Sequence, residues 1–125
     1  MRILLDTHLL LWWLEASPSL SAQARDMIRD PENTVFVSAV SLWEIWLKQS
    51  LGKLQVPVDF SERLAAEHFE SLPLTASQTR QVSLLPWHHR DPFDRMLIAQ
   101  AQVEKLVLLT ADGSLAAYGD VVRVV

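Results

Sequence analysis

Four acidic side chains, spread over most of the chain, are of the type that metal-assisted chemistry on phosphates requires. They are Asp6, Glu44, Asp94 and Asp112. Ligand sets made of carboxylate oxygens select hard divalent cations, Mg²⁺ or Mn²⁺. Like charges in one cleft raise each other's pKa, and a divalent ion removes that conflict. The same ion lowers the pKa of a water and neutralises charge on a phosphate. These acids predict a metal-dependent phosphodiesterase or phosphatase, provided that the fold brings them together.

Asp94 has the strongest alternative explanation, because it lies in the charged segment HHRDPFDRML at residues 88–97. Asp91 and Asp94 are spaced to satisfy the free amides and the dipole at the start of a helix, so capping alone explains both. One acid suffices for a cap, however, and Asp91 already has that position. The apolar residues after Asp94 predict a deeply packed helix, which would hold Asp94 close to the end of a sheet.

Each of the other acids also has two interpretations. Asp6 directly follows an apolar run, and it could simply cap the next helix. A carboxylate there is costly to desolvate unless a positive group meets it, which favours a functional role. Glu44 could pair with Lys48 one helical turn later, but its apolar neighbours in SLWEIWLK favour a cleft. Asp112 precedes a glycine and is typical of a turn.

Hydroxyl and basic side chains adjoin these acids in the sequence. Thr7 and Thr110 each lie near an acid at the predicted end of a strand, where they could orient a carboxylate or a water, or simply cap. The basic residues nearest to the acids are Lys48, Arg90 and Arg95. We expect these three cations to contact phosphates of the substrate.

Apolar strands that alternate with helices indicate a parallel sheet with helices on both faces, a three-layer α/β/α fold with about five strands. The strands are predicted at residues 2–5, 34–39, 72–74, 106–110 and 121–125. The helices are predicted at residues 7–15, 21–29, 41–50, 60–70, 75–84 and 92–104. In such sheets, sites form at the carboxyl ends of the strands, and all four acids map there.

Local signals mark several helix ends. Gly52 follows the third predicted helix, where a C-terminal cap needs a residue that tolerates a positive φ. Asp59 and Glu62 have the spacing of a capping box, and so do Thr75 and Gln78. We expect both pairs to start helices.

Composition restricts the class of protein. The chain has 125 residues, no cysteine, three glycines and a formal net charge of −4, which predict a single domain spanning residues 1–125. Disulfides, thiol nucleophiles and glycine-rich phosphate loops are excluded. The apolar run near the N-terminus is too short and too interrupted for a signal peptide or a membrane span. We therefore expect a cytoplasmic location without a membrane partner.

The histidines and tryptophans are weaker signals. Zinc is disfavoured by the spacing of His8, His68, His88 and His89, which we expect in loops and at the surface. The five tryptophans are typical of cores and interfaces, and only Trp87 has the loop position of a base-stacking residue. The first helix and the helix with Trp43 and Trp46 are apolar around most of their circumference. Both predict a homodimer or a partner's groove.

Taken together, LLDTHLLLWW, SAVSLWEIWLK followed by GKL, RDPFDRMLIAQA and LVLLTADGSL closely resemble the PIN-domain ribonucleases. The closest likeness is to VapC-type toxins of bacterial toxin–antitoxin pairs, and it covers essentially the whole chain. The family's acidic positions fall on Asp6, Glu44, Asp94 and Asp112, and Asp91 matches an extra acid of this subgroup. The resemblance implies a Mg²⁺- or Mn²⁺-dependent endoribonuclease, a homodimer, and a VapB-like antitoxin that blocks the site.

Three other classes of protein share some of these features. A receiver domain has a similar length and an acidic Mg²⁺ pocket, but it needs a lysine at the end of the last strands, which is missing. A phosphatase of the haloacid dehalogenase type needs an aspartate two residues after its nucleophile, where this chain has His8. In a catalytically silent binding module, the four acids would serve only as caps and turns.

Overall fold

The sheet contains five parallel strands, in agreement with the fold predicted from the sequence. A computed structural model describes residues 1–125. The strands are β1 (Arg2–Leu5), β2 (Thr34–Ser38), β3 (Glu70–Leu72), β4 (Val107–Thr110) and β5 (Val122–Val124). Their order across the sheet is β3-β2-β1-β4-β5, and all pairs are parallel. The chain therefore builds one half of the sheet outward from β1 and then crosses to build the other half.

Six α-helices cover this sheet. They are α1 (Thr7–Leu14), α2 (Ala22–Arg29), α3 (Ala39–Ser50), α4 (Phe60–Ala65), α5 (Ala76–Val82) and α6 (Pro92–Glu104). A short 3₁₀ helix (Gly113–Tyr118) joins β4 to β5, where the sequence predicted only a turn. None of the helices combines the length and the apolar character needed to cross a membrane.

Side chains that alternate along β1 divide the core into two clusters. Ile3 and Leu5 pack with residues of α1, α2 and α4. Leu4 points to the other face and packs with residues of α6. Because successive residues of a strand face opposite sides, this division places a helical layer on each side of the sheet. The expected three-layer α/β/α architecture is confirmed.

Buried polar groups fix α6 against the sheet. Ser38, at the end of β2, donates to Gln100 Oε1 at 2.6 Å. The amide nitrogen of Gln100 donates to Gln78 Oε1 at 3.0 Å, and that of Gln78 donates to Glu104 Oε1 at 3.2 Å. Unpaired polar atoms are costly in a core, so these bonds favour one rotation of α6 over its neighbours.

Most predicted elements differ from their observed bounds by one or two residues, and the fourth helix and the third strand differ most. The helix predicted at residues 60–70 ends at Ala65, and the third strand begins at Glu70 instead of residue 72. Glu70 pairs with Phe36 of β2, so the sheet recruits residues whose local sequence favours a helix. No glycine or proline lies between Ala65 and Glu70, so the sequence contains no local signal for the end of this helix.

The predicted helix ends also have mixed outcomes. Gly52 has a φ of 71° after α3, as expected for a C-terminal cap. Thr75 and Gln78 form a complete capping box at the start of α5. The capping box predicted for Asp59 and Glu62 is wrong, because the Asp59 side chain makes no cap bond.

The first helix is covered by the protein's own core to a larger extent than predicted. Leu9, Leu10 and Leu11 are buried, and the aromatic residues that follow pack against the same cluster. The part of the assembly prediction that rests on α1 stays a prediction, since Trp12 and Trp13 are only partly buried. Three of the exposed large apolar residues lie on α3, where Trp43 is 59% exposed, Trp46 is 41% exposed and Leu47 is 37% exposed.

The two capping sites allow a matched test of stability. We expect Thr75→Ala to lower the free energy of unfolding by about 1 kcal/mol, because it removes a working cap. Asp59 makes only an exposed ion pair with Arg63. We expect Asp59→Ala to change the free energy of unfolding by less than about 0.5 kcal/mol. Urea denaturation of both variants checks this, and an equal loss in the two would contradict the assignment of the caps.

Candidate active site

Asp6 is one of the two buried acids among the four, together with Glu44. It directly follows β1 and is 5% exposed. Its Oδ1 accepts a hydrogen bond from the Leu9 amide at 2.8 Å and caps α1, while its Oδ2 accepts from the hydroxyl of Thr110. Burial raises the pKa of Asp6 above its usual range, and these two bonds and His8 oppose the rise. Asp6 therefore both caps a helix and presents a carboxylate at the centre of the sheet edge.

Thr110 connects Asp6 to Asp112. The amide of Asp112 donates to Thr110 Oγ1 at 3.0 Å, while the hydroxyl of Thr110 donates to Asp6. Asp112 caps the 3₁₀ helix, and its Oδ1 accepts from the amide and hydroxyl of Ser114 at 2.9 and 2.7 Å. The bond from the Ser114 hydroxyl holds the pKa of Asp112 below its usual range. Asp112 is an exposed, ionised acid at the rim of the site.

Glu44 is buried on α3 and is anchored from two sides. The hydroxyl of Thr7 donates to its Oε1 at 2.7 Å, and the Lys48 ammonium pairs with its Oε2. The bond to Glu44 raises the pKa of Lys48. The helical pairing weighed from the sequence does form, but not on a solvated face, because the side chain of Glu44 is only 5% exposed.

Asp91 and Asp94 divide the two tasks that their spacing allows. Asp91 Oδ1 accepts from the Asp94 amide at 2.9 Å and caps α6, with Pro92 in the first turn. Asp94 makes no cap bond of its own, and its side chain is 24% exposed. Burial, followed by the negative charge of Asp91, raises the pKa of Asp94 to about 6.

His89 is a site residue that the sequence analysis missed. Its Nε2 lies 2.9 Å from Asp94 Oδ2, and its side chain is 22% exposed. His88 does lie at the surface as expected, with its ring edge-on to Tyr118. Only the position of His89 five residues before Asp94, in the loop that leads into α6, hinted that it lies in the site.

The acids lie near one another at the carboxyl edge of the sheet. The negative charge of Asp112 raises the pKa of Asp6, and that of Asp6 raises the pKa of Asp94. The charges of Glu44, Asp91 and Asp94 raise the pKa of Lys48. Ligand atoms of His89, Asp94 and Asp112 lie within 4.8 Å of one another. Carboxylates with pKa values raised by burial carry negative charge that a divalent cation would compensate. The residues therefore fit such a cation, and the imidazole adds a nitrogen donor suited to Mn²⁺ as well.

The three cations expected at phosphates have different surroundings. Arg95 is 4% exposed, and its guanidinium is enclosed by backbone carbonyls, with Pro86 O at 2.9 Å. The expected phosphate contact of Arg95 is wrong, because its apolar neighbours in sequence turn it inward with the buried face of α6. Lys48 is paired with Glu44, and Arg90 is exposed in the loop that leads into α6.

Comparison with known proteins decides the family. Residues 3–121 match the PIN domain family. The chain belongs to the PIN-domain family. The resemblance seen in the sequence is thereby confirmed for nearly the whole chain, and the receiver and haloacid dehalogenase alternatives fail.

Relatives of this PIN domain include a curated ribonuclease. Ribonuclease VapC22 of Mycobacterium tuberculosis (strain ATCC 25618 / H37Rv) is 30% identical over 119 residues, which cover 93% of this chain and 91% of the relative. The fold is shared with VapBC2 from Rickettsia felis, solved bound to a DNA fragment from the promoter, at a TM-score of 0.74 and 15% identity, covering 100% and 98% of the two chains. FitAcB from Neisseria gonorrhoeae has a TM-score of 0.64 and 21% identity, covering 96% and 95%.

The raised pKa of Asp94 generates a prediction about stability in metal-free buffer. Because its pKa is about 6 in the fold against the ordinary 3.8, ionisation opposes folding, and stability falls as the pH rises from 3.8 through 6. The full penalty above pH 6 is at most about 3 kcal/mol. We expect Asp94→Asn to gain in stability relative to the wild type between pH 4 and pH 7.

Denaturation with urea at both pH values measures this gain. The matched control is Asp26→Asn, which changes an exposed acid of α2. A stability difference between Asp94→Asn and the wild type that is equal at pH 4 and pH 7 would show that Asp94 is not strained by its burial.

Proposed function

We propose that this protein is a divalent-metal-dependent endoribonuclease and the toxin of a toxin–antitoxin pair. The observation that carries the proposal is the clustering of acids at the edge where the strand order switches between β1 and β4, in a member of the PIN-domain family. The similarity to a curated ribonuclease supports RNA as the substrate. The chain is acidic, so the positive charge that contacts the substrate phosphate would be supplied by the bound metal.

Asp6, Asp94 and Asp112 would hold the cation, with Glu44 and His89 beside them. When bound, Mg²⁺ or Mn²⁺ would lower the pKa of a water and neutralise charge on the scissile phosphate. The residues of this chain supply the arrangement. Thr110 holds the Asp6 carboxylate in place, and Thr7 does the same for Glu44.

Asp91 and Asp94 have different roles in this mechanism. Asp91 spends one carboxylate oxygen on the helix cap, and this fixes the first turn of α6. Asp94 follows in that turn with its carboxylate directed to His89 and the cleft. The helix thus orients Asp94 toward the cleft. Hydrolysis would proceed by attack of water on phosphorus as the bond between phosphorus and the leaving ribose oxygen breaks, and the proton that the water loses ends on the leaving oxygen.

Cleavage of RNA by purified variants tests the activity. Mutating groups that only support metal ligands costs about 10–100-fold, so loss of a direct ligand in Asp94→Asn should reduce Mn²⁺-dependent cleavage by more than that. Asp26→Asn is the control and should cleave like the wild type. Full activity of folded Asp94→Asn would contradict the assignment, and a wild type that cleaves no RNA would leave the silent binding module.

An amphipathic helix of an antitoxin is the partner that fits the surface beside the site. A groove of about 320 Å³ lies between α3, α4 and the edge strand β3. Its apolar lining includes Val37, Leu42, Trp46, Phe60, Leu64 and Phe69. The ring of Trp46 packs edge-on against Phe60 at 5.4 Å between centroids, and Trp46 is still 41% exposed. Helical partners commonly dock an apolar face in such grooves.

The acidic cleft provides the second half of the partner's site. Without a cation, its carboxylates would accept charge-assisted hydrogen bonds from an arginine or lysine of the antitoxin. Lys48 already makes a bond of this kind to Glu44 from within the chain. We infer that binding and inhibition are separable, since the groove supplies contact area and the basic residue blocks the acids.

Variants of both proteins test this separation. Truncating the basic residue of the antitoxin should restore cleavage while much of the affinity remains. Trp46→Ala should instead weaken binding by about 30-fold, the effect of losing an interface hot spot. Light scattering of the free toxin, which we expect to be a homodimer, gives the stoichiometry. Undiminished inhibition at saturating antitoxin after removal of every basic residue from the docked segment would show that charge does not block the cleft.

A further inference from the structure

The loop between α5 and α6 is built around a buried cation. Arg95 Nη1 donates to Pro86 O at 2.9 Å and His89 O at 3.4 Å, and Nη2 donates to Leu85 O at 3.4 Å. Nη1 also donates to the hydroxyl of Tyr118 at 3.2 Å. Residues 83–91 contain no regular helix or strand, so these bonds replace the ladder that would otherwise hold the backbone. A guanidinium with several fixed donors is suited to this task.

Trp87 lies on top of this guanidinium. The Cζ atom of Arg95 is 3.7 Å from the centroid of the Trp87 ring, the distance of a stacked cation–π contact. Trp87 is nevertheless 76% exposed. One face of the indole is therefore held by the protein, and most of the remaining ring surface meets solvent.

The exposed ring belongs to the same unit as the acidic cleft. The His89 carbonyl is bound by Arg95, and the His89 imidazole contacts Asp94. Arg95 itself directly follows Asp94 on α6. The loop thus presents the indole on one side of Arg95 and a cleft residue on the other, and their relative placement is fixed by the same guanidinium.

The surroundings of Trp87 favour a nucleic acid over an apolar partner. A surface hollow of about 290 Å³ is lined by Trp87 and the exposed side chain of Arg90. An aromatic ring flanked by a free cation offers a base a stacking surface and the adjoining phosphate a charge. The groove proposed for the antitoxin does not include Trp87.

We propose that Trp87 is a stacking platform for an unpaired nucleobase of the RNA next to the scissile phosphate, with Arg90 at the adjoining phosphate. The inference rests on the proposed ribonuclease function and assigns part of its specificity. Because Arg95 fixes the indole before RNA arrives, stacking requires little further ordering of the protein. A base can reach the platform only when it is unpaired, so the site selects single-stranded segments. Stacking accepts every base, so the platform does not read sequence by itself.

Steady-state cleavage of a short single-stranded RNA with Mn²⁺ tests the platform. Trp87→Leu keeps an apolar side chain but removes the π-face, and we expect it to raise KM roughly tenfold. Its kcat should change little, because the stacked base takes no part in the bond changes, and its stacking then contributes equally to ground state and transition state. Trp87→Phe should retain most of the affinity. Leu84→Ala is the control in the same loop, since Leu84 is 63% exposed and has no aromatic face.

A set of RNAs with one abasic nucleotide at successive positions separates stacking from a structural effect. For the wild type, one position near the cleaved bond should raise KM when its base is removed. For Trp87→Leu, that position should lose its penalty, because the partner of the base is already gone. Thermal unfolding of each variant shows that the fold is intact. An unchanged KM in folded Trp87→Leu, or an abasic penalty that is the same in both proteins, would overturn the platform.

Fluorescence anisotropy with the same RNAs in metal-free buffer distinguishes failure of the platform from failure of the enzyme. A wild type that binds RNA in this buffer but does not cleave it after Mn²⁺ is added would refute the ribonuclease function, while the abasic comparison of affinities would still decide the role of Trp87. Absence of both binding and cleavage would refute both proposals. If Trp87→Leu weakens only the antitoxin complex and leaves RNA affinity unchanged, the indole is a protein contact and the platform is wrong.

Discussion

A buried carboxylate at the end of the central strand is the constraint on which this edge of the fold depends. Asp6 is buried, and a buried charge is tolerated only when donors or cations meet it. The Leu9 amide and the Thr110 hydroxyl supply two donors, and the Asp112 amide in turn binds Thr110. One side chain thereby joins β1, α1 and β4. The demand for a further positive group remains, because burial still raises the pKa of Asp6.

The same demand explains why the acids around the cleft have hydrogen-bond or ion-pair partners. Glu44 is met by Thr7 and Lys48, and Asp94 is met by His89. No buried side-chain nitrogen or oxygen is left without a hydrogen bond. A metal ion, an RNA phosphate bound through it and a basic residue of a partner would therefore act on the same few oxygen atoms. Competition for these atoms, and not a distant conformational change, is the simplest physical basis for control.

Periodicity and local capping made most of the fold predictable. The order of elements, the parallel sheet and the division of Asp91 and Asp94 into cap and cleft residue follow from short-range patterns. The end of α4 did not, since sheet pairing overrides local preference there. The roles of His89 and Arg95 were missed for a related reason: each depends on a loop folding back on α6, and the spacing of the residues does not encode that path.

The strand order has a consequence for the cell that makes this protein. Thr110 binds Asp6 across 104 residues of sequence, and β4 and β5 are synthesised after β1, β2 and β3. Chains emerge from the ribosome N-terminus first. The central strand β1 is therefore synthesised well before its neighbour β4, and before β5 on the far side of β4. A growing or prematurely ended chain that stops before Thr110 has half of a cleft and no Asp112. The topology thus delays assembly of the acidic cluster until the chain has been synthesised beyond Asp112.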